Sequence, residues 1–90
     1  MRFEWEPEKA KSNLRKHGVT FEEATTVFTD DLSLTGQDPD HSQDEERLVT
    51  FGRASSGRII VVAYTERGEQ IRIISARVVT RSERKLYEEG

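Results

Sequence analysis

The run Ile59-Ile60-Val61-Val62-Ala63-Tyr64 constrains the fold more than any other stretch of the sequence. Its odd and even positions are both apolar, so residues 58–65 read as a central strand with two apolar faces. Its neighbours fall into place around it. Residues 47–52 and 70–78 read as strands, joined to it by the turns Ala54-Ser55-Ser56-Gly57 and Arg67-Gly68-Glu69. Leu32-Ser33-Leu34-Thr35 alternates and reads as one more strand. Residues 36–46, with Asp38-Pro39-Asp40, read as a polar loop. Strands joined by short turns predict an antiparallel meander of about four strands.

The first thirty residues follow a helical period. Phe3-Glu4-Trp5 alternates as a short strand or packed arm would, and Glu6-Pro7-Glu8 opens a helix. Proline suits the first turn because its missing N–H would be unpaired there, and acids suit the positive end of the helix dipole. The helix runs to about His17, with Gly18 as a left-handed stop. Thr20-Phe21-Glu22-Glu23 is a capping box opening a second helix, whose apolar face is Phe21, Ala24, Val27 and Phe28. Thr80-Arg81-Ser82-Glu83 is another box, opening a short C-terminal helix through Tyr87. The expected fold class is α+β: two N-terminal helices and a short C-terminal one, packed on one face of the antiparallel sheet, as a single domain over residues 1–90.

The chain has 90 residues, 33% hydrophobic and 34% charged, so its core is small and part of its surface suits a partner. It has no cysteine, which removes disulfides and thiolate metal sites. No apolar run is long enough for a spanning helix, and Met1-Arg2-Phe3-Glu4-Trp5-Glu6 is not a signal peptide, so a cytoplasmic protein without membrane contact is expected. The net charge of −3 hides a polarity. Residues 17–46 hold nine Asp/Glu and no Lys/Arg, whereas residues 53–85 hold seven Arg and one Lys against three Glu. Acidic and basic blocks of this kind can form separate surfaces.

Three groups of residues can carry chemistry. Arg72 and Arg77 interrupt an apolar strand, and guanidinium groups bind two phosphate oxygens at once. Strict alternation puts them on opposite faces; a bulge near Ser75 would bring them together, and salt bridges to Glu66 or Glu83 are the structural alternative. On the first helix, Lys9 can contact phosphate and His17 can move a proton near neutral pH or simply cap carbonyls. Glu66 sits at a turn, and Tyr87 can donate a proton, stack on a base, or pack its helix. His41, Ser42 and Asp44 read as loop residues: no strand-to-helix elbow presents the serine, and His17 and His41 are too far apart to mark a metal site. No metal or cofactor is expected. No helix-turn-helix pattern with a basic recognition helix exists for direct DNA binding.

These residues also carry a family resemblance. Phe3-Glu4-Trp5, Lys9, Asn13, Lys16-His17-Gly18-Val19, Phe21 and Ala24 are similar to the N-terminal pattern of BrnT toxins. Arg47, Val61-Val62-Ala63-Tyr64-Thr65-Glu66, Arg72-Ile73-Ile74-Ser75-Ala76-Arg77, Thr80, Glu83, Arg84 and Tyr87 are similar to its C-terminal half. The resemblance implies a RelE-like fold and a ribonuclease toxin of a type II toxin–antitoxin system that inhibits translation. It implies a BrnA-like antitoxin, two toxins assembled with two antitoxins, and operator DNA contacted only through the antitoxin. Where the family has Asp this chain has Glu6, and where it has a basic residue and Ala this chain has Val78 and Val79.

The expected reaction is metal-independent cleavage of RNA to a 2′,3′-cyclic phosphate and a 5′-hydroxyl. The site residues are Arg77, Arg72, Lys9, His17, Glu66 and Tyr87, with His17 or Glu66 as the base; Arg47, Arg67, Arg81 and Arg84 are the expected RNA contacts. The competing expectation is a catalytically weak or degenerate toxin that binds its antitoxin and co-represses transcription, its acidic Glu22, Glu23, Asp30 and Asp31 meeting a basic partner.

Overall fold

The computed structural model describes residues 1–38 and 46–90. Most of the expected polar loop, with His41, Ser42 and Asp44, lies outside the described residues. The elements run β1 (Arg2–Glu4), α1 (Pro7–His17), α2 (Phe21–Thr25) continued by a 3₁₀ turn (Thr26–Thr29), β2 (Leu34–Gln37), β3 (Arg47–Arg53), β4 (Ile59–Arg67), β5 (Gln70–Val78) and α3 (Arg81–Glu89). The described strands form a sheet in the order β1-β5-β4-β3-β2.

The meander β2-β3-β4-β5 is antiparallel as expected, with β4 at its centre. One feature corrects the expectation. The N-terminal arm is a fifth strand, paired in parallel with β5 from Arg2↔Gln70 to Glu4↔Arg72, so the sheet is mixed. Parallel neighbours need a long connection, and here it runs from β1 through α1 and α2 and the strands β2, β3 and β4 before reaching β5. The helices are also not all on one face. Val19, Phe21, Ala24 and Val27 meet Ile60, Val62 and Tyr64 of β4 and Ile71, Ile73 and Ala76 of β5. α3 lies over the opposite face, from Arg77 on β5, which bonds Glu83, to Leu34 on β2, beside Gly90. Ile59, Val61, Ala63 and Thr65 of β4 point to this face and are nearly as buried as the core residues between them.

Aromatic rings tie β1 and the helices to the sheet. Phe28 stacks on Phe3 at 5.3 Å and edge-on to Tyr64 at 4.9 Å; Trp5 meets Phe21 edge-on at 5.8 Å. Phe21 and Tyr64 are buried and the other three rings partly so; full burial of such a side chain stabilises by about 1.5–3 kcal/mol. The 3₁₀ turn sits so close to β3 that a Cβ on Gly52 would stand 2.6 Å from a Val27 methyl. Strand β2 begins two residues later than its alternation predicts. The Asp30 carboxylate accepts the Leu32 N–H, and the Asp30 carbonyl accepts that of Ser33, so a turn holds Leu32 out in solvent. The two capping boxes differ. At Thr80 both arms form, but at Thr20 only the threonine arm does. Glu23 turns away to bond the Arg58 guanidinium and the Ser56 hydroxyl, a charge-assisted pairing stronger than a neutral amide offers.

Helix α1 ends as its sequence dictates, at Gly18 in the left-handed region with its N–H on the Leu14 carbonyl. What holds it to the sheet is Asn13. β1 pairs only with residues 70–72 of β5, so the edge beyond is open to α1. Ala76 turns its N–H and C=O to that edge, and the Asn13 carboxamide takes both: Ala76 N–H to Oδ1 at 3.1 Å and Nδ2 to the Ala76 carbonyl at 2.8 Å. Its second N–H reaches the Val19 carbonyl at 3.0 Å. Asn13→Asp removes both donors and sets a carboxylate against two carbonyls. A loss of about 3 kcal/mol in urea unfolding is expected, with Asn13→Ala costing about 2 kcal/mol. Unfolding midpoints equal to wild type would contradict this clamp.

Candidate functional site

The register of β4 and β5 slips by one residue: Ala63 faces Ser75 while Tyr64 faces Ile73. Ile74 is therefore the extra residue of a bulge in β5. The slip inverts the alternation, so Ile71, Ile73 and Ala76 all point to the helix core. Arg72 and Arg77 consequently share the opposite face, flanking the bulge on either side. Along that face, rows run across the sheet as Arg47–Thr65–Arg72–Glu4 and as Phe51–Val61–Arg77.

Beside the bulge is a cleft of about 250 Å³ lined by Lys9, Ser12, Asn13, Lys16 and His17 of α1 and by Ile74 and Ser75. The helix thus sets two lysines and an imidazole against the bulged backbone; Arg72 and Arg77 lie on β5 to either side of the bulge, outside the lining of the cleft. Of the lining residues only Lys9 and His17 are among the expected site residues; Ser12, Asn13, Lys16, Ile74 and Ser75 are not. Lys9, Ser12 and Lys16 have the spacing of one helix face, which was the available signal. Asn13, on the same helix as Lys9 and His17, is buried and occupied by backbone.

Both arginines already hold acids. Arg72 lies 3.6 Å from Glu4 and 3.5 Å from Glu6, whereas Arg77 binds both oxygens of Glu83, at 2.7 and 2.8 Å. Neither pairs with Glu66, which lines a separate groove of about 410 Å³ at the β4–β5 hairpin with Arg2, Glu69 and Gln70. Arg67 is at the same hairpin, in register with Gln70. Tyr87 is buried, and its hydroxyl donates to Asp30, a contact that raises its pKa. Asp30 also accepts the Arg53 and Leu32 N–H groups; these bonds outweigh its burial and lower its pKa. Tyr87 therefore fastens α3 to the start of β2 rather than joining the cleft. Arg81 and Arg84 line another groove, of about 380 Å³, with Arg58, Val78 and Val79. The expected residues are thus divided among separate places: Lys9 and His17 line the cleft beside the bulge, and Arg72 and Arg77 stand on one face of β5 on either side of it. Among the described residues no cluster of three or more His, Asp or Glu could hold a metal ion, and no helix is long and apolar enough to cross a membrane.

Residues 5–83 match the family model described as ribonuclease toxin, BrnT, of type II toxin–antitoxin system. The chain superposes on the crystal structure of the Brucella abortus ribonuclease toxin BrnT with a TM-score of 0.68, covering 90% of this chain and 99% of that one at 24% identity. At that identity the likeness speaks for the fold. No curated protein sequence matches the chain.

The Arg77–Glu83 pair has a consequence for acid stability. The Arg77 guanidinium, above all, with the Thr80 N–H, overcomes burial and holds the Glu83 carboxyl at about 2, against an ordinary value of 4.5. A carboxylate depressed in the folded state adds stability that is complete above its unfolded value and is lost as pH falls through the folded one. The contribution of Glu83 is thus full above pH 4.5 and fades toward pH 2. Because the pair is partly exposed, Glu83→Gln is expected to cost only about 1 kcal/mol at neutral pH. Its melting temperature should fall less than that of wild type between pH 4.5 and 2. Parallel acid profiles for the two proteins would contradict the assignment.

Proposed function

Since the chain belongs to the BrnT family of ribonuclease toxins of type II toxin–antitoxin systems, we propose that the cleft between α1 and the β5 bulge is where it cleaves RNA, without a metal ion. The supporting observation is the bulge itself, which puts Arg72 and Arg77 on one face of β5, while its Ile74 and Ser75 line the cleft with Lys9, Lys16 and His17. RNA carries its own nucleophile, so the protein need only move protons and stabilise charge. His17 takes the proton of the 2′-hydroxyl as that oxygen attacks the adjacent phosphorus. Arg72, Arg77 and Lys9 stabilise the added negative charge on the phosphoryl oxygens. The ammonium of Lys16 supplies a proton to the departing 5′-oxygen, leaving a 2′,3′-cyclic phosphate and a 5′-hydroxyl. Glu66 and Tyr87, seated elsewhere, have no part in this scheme.

Cleavage of messenger RNA inhibits translation, and a BrnA-like antitoxin neutralises the toxin in an assembly of two copies of each. Operator DNA is reached through the antitoxin. The overall architecture is RelE-like in this reading. Of the acidic block, Glu23 and Asp30 are engaged within the chain, which leaves Glu22 and Asp31 for a basic partner. A second reading, a non-catalytic antitoxin-binding co-repressor, draws on the acids already held by Arg72 and Arg77.

The deciding measurement is cleavage of a long RNA by the purified protein with chelator present. His17→Ala and Arg72→Ala are each expected to lower the rate by about 100-fold, with melting temperatures close to wild type. Arg77→Ala should abolish cleavage while Glu83→Gln, which breaks the same ion pair but keeps the guanidinium, does not. Absence of cleavage by wild type, with antitoxin binding intact, would favour the co-repressor.

A further inference from the structure

The row Arg47–Thr65–Arg72 contains two buried polar atoms without a hydrogen-bond partner, the Thr65 hydroxyl and the Arg72 Nε. Thr65 is only 3% exposed, so its hydroxyl is shielded from bulk solvent. Such a group costs free energy wherever it persists, and its neighbour costs more. The other buried threonine of the sheet, Thr50, shows the ordinary solution: its hydroxyl bonds both Thr35 and Tyr64. Thr65 lies on the opposite face, directly across from Arg47 on one side and Arg72 on the other.

The two unpartnered atoms have one need in common. A guanidinium N–H only donates, and a hydroxyl can donate, so a single oxyanion would satisfy both. Arg72 now faces Glu4 and Glu6 at 3.6 and 3.5 Å, beyond good hydrogen-bonding distance. These loose contacts are readily exchanged for a ligand that offers oxygens at closer range. A ligand taking up this row draws the Arg72 guanidinium away from Glu4 and Glu6. Arg47 closes the far side of the row with a further cation.

The geometry points to a phosphate-binding subsite built by Thr65, Arg72 and Arg47, with Thr65 as the positioning residue that seats an RNA phosphodiester. This inference rests on the proposed RNA-cleaving cleft and extends it: Arg72 is shared by the two, and Thr65 and Arg47 hold the phosphate next to the one under attack. Thr65 touches neither the attacking nor the departing oxygen, so its loss acts on binding more than on the chemical step.

Thr65→Val tests this, because it removes the hydroxyl and keeps the shape. Two readouts are taken on the full chain: anisotropy of a labelled, non-cleavable 2′-O-methyl oligoribonucleotide, and cleavage of the matching RNA. Thr65→Val should bind the oligonucleotide about tenfold more weakly, the loss of one hydrogen bond to a charged acceptor, and raise KM more than it lowers kcat. Its melting temperature should equal or exceed that of wild type, since an unpartnered hydroxyl is gone. Thr65→Ser should recover the affinity. Binding by Thr65→Val equal to wild type overturns the subsite, as does a wild type that fails to bind the oligonucleotide. Thr65-dependent binding by a wild type that cleaves nothing would uphold the subsite while removing the ribonuclease reading.

Discussion

The Asn13 carboxamide is the point on which the arrangement of helix, sheet and cleft depends. An edge strand exposes a row of backbone donors and acceptors, and β1 is long enough to cover only residues 70–72 of β5. At Ala76 the side chain of Asn13 replaces a neighbouring strand, giving one donor and one acceptor to one residue's backbone. Its remaining N–H holds Val19, so the turn between α1 and α2 is fixed by the same group. An amide is the one neutral side-chain type that both donates twice and accepts, and here each of these functions is filled. The face of α1 next to Asn13 carries Lys9, Ser12, Lys16 and His17, and these become a wall of the cleft because Asn13 sets the rotation of the helix.

Between the end of β1 and the Asn13 clamp lies the bulge. An inserted residue in one strand bends it and reverses the facing of everything beyond it. In β5 the strand is locked on both sides of Ile74, to β1 before it and to Asn13 after it, so the reversal is held in place. The outcome is a sheet face on which two arginines flank a backbone irregularity, with basic side chains alongside. Bulges that re-aim side chains are common next to active sites, and this one turns both arginines to one face of β5.

Charge in this chain is used twice. Arg58 and Glu23 fasten the β3–β4 turn to the junction of α1 and α2, where Arg58 also bonds the Gly18 carbonyl. Arg77 and Glu83 fasten α3, while Tyr87 fixes its other end to Asp30. The small apolar content leaves these polar ties to position the outer elements. The overall charge of −3 therefore describes the binding surface poorly, because many acids are engaged internally.

Much of this was legible beforehand. The apolar run of β4, the glycine turns, Gly18 and the complete Thr80–Glu83 box are local features, decided by residues a few positions apart, and each appears where its pattern put it. Long-range competition was not legible. The Thr20 box is half-formed because Arg58, 35 positions from Glu23, outbids a backbone amide. The parallel pairing of β1 depends on which edge of a finished sheet is free, and Tyr87 meets Asp30 only once α3 has folded back across the strands.

The arginine pair shows the division most directly. Sequence alone determined that guanidinium groups sit in an apolar strand and must find anions. Which face each one occupies was decided by the tertiary structure. Ile71, Ile73, Ile74 and Ala76 allow two phases of alternation, and the apolar pattern cannot choose between them. The choice falls to contacts made from outside the strand, by Val62 across the ladder and by Asn13 at the edge, because only a bulge lets Ile73 and Ala76 both reach the core.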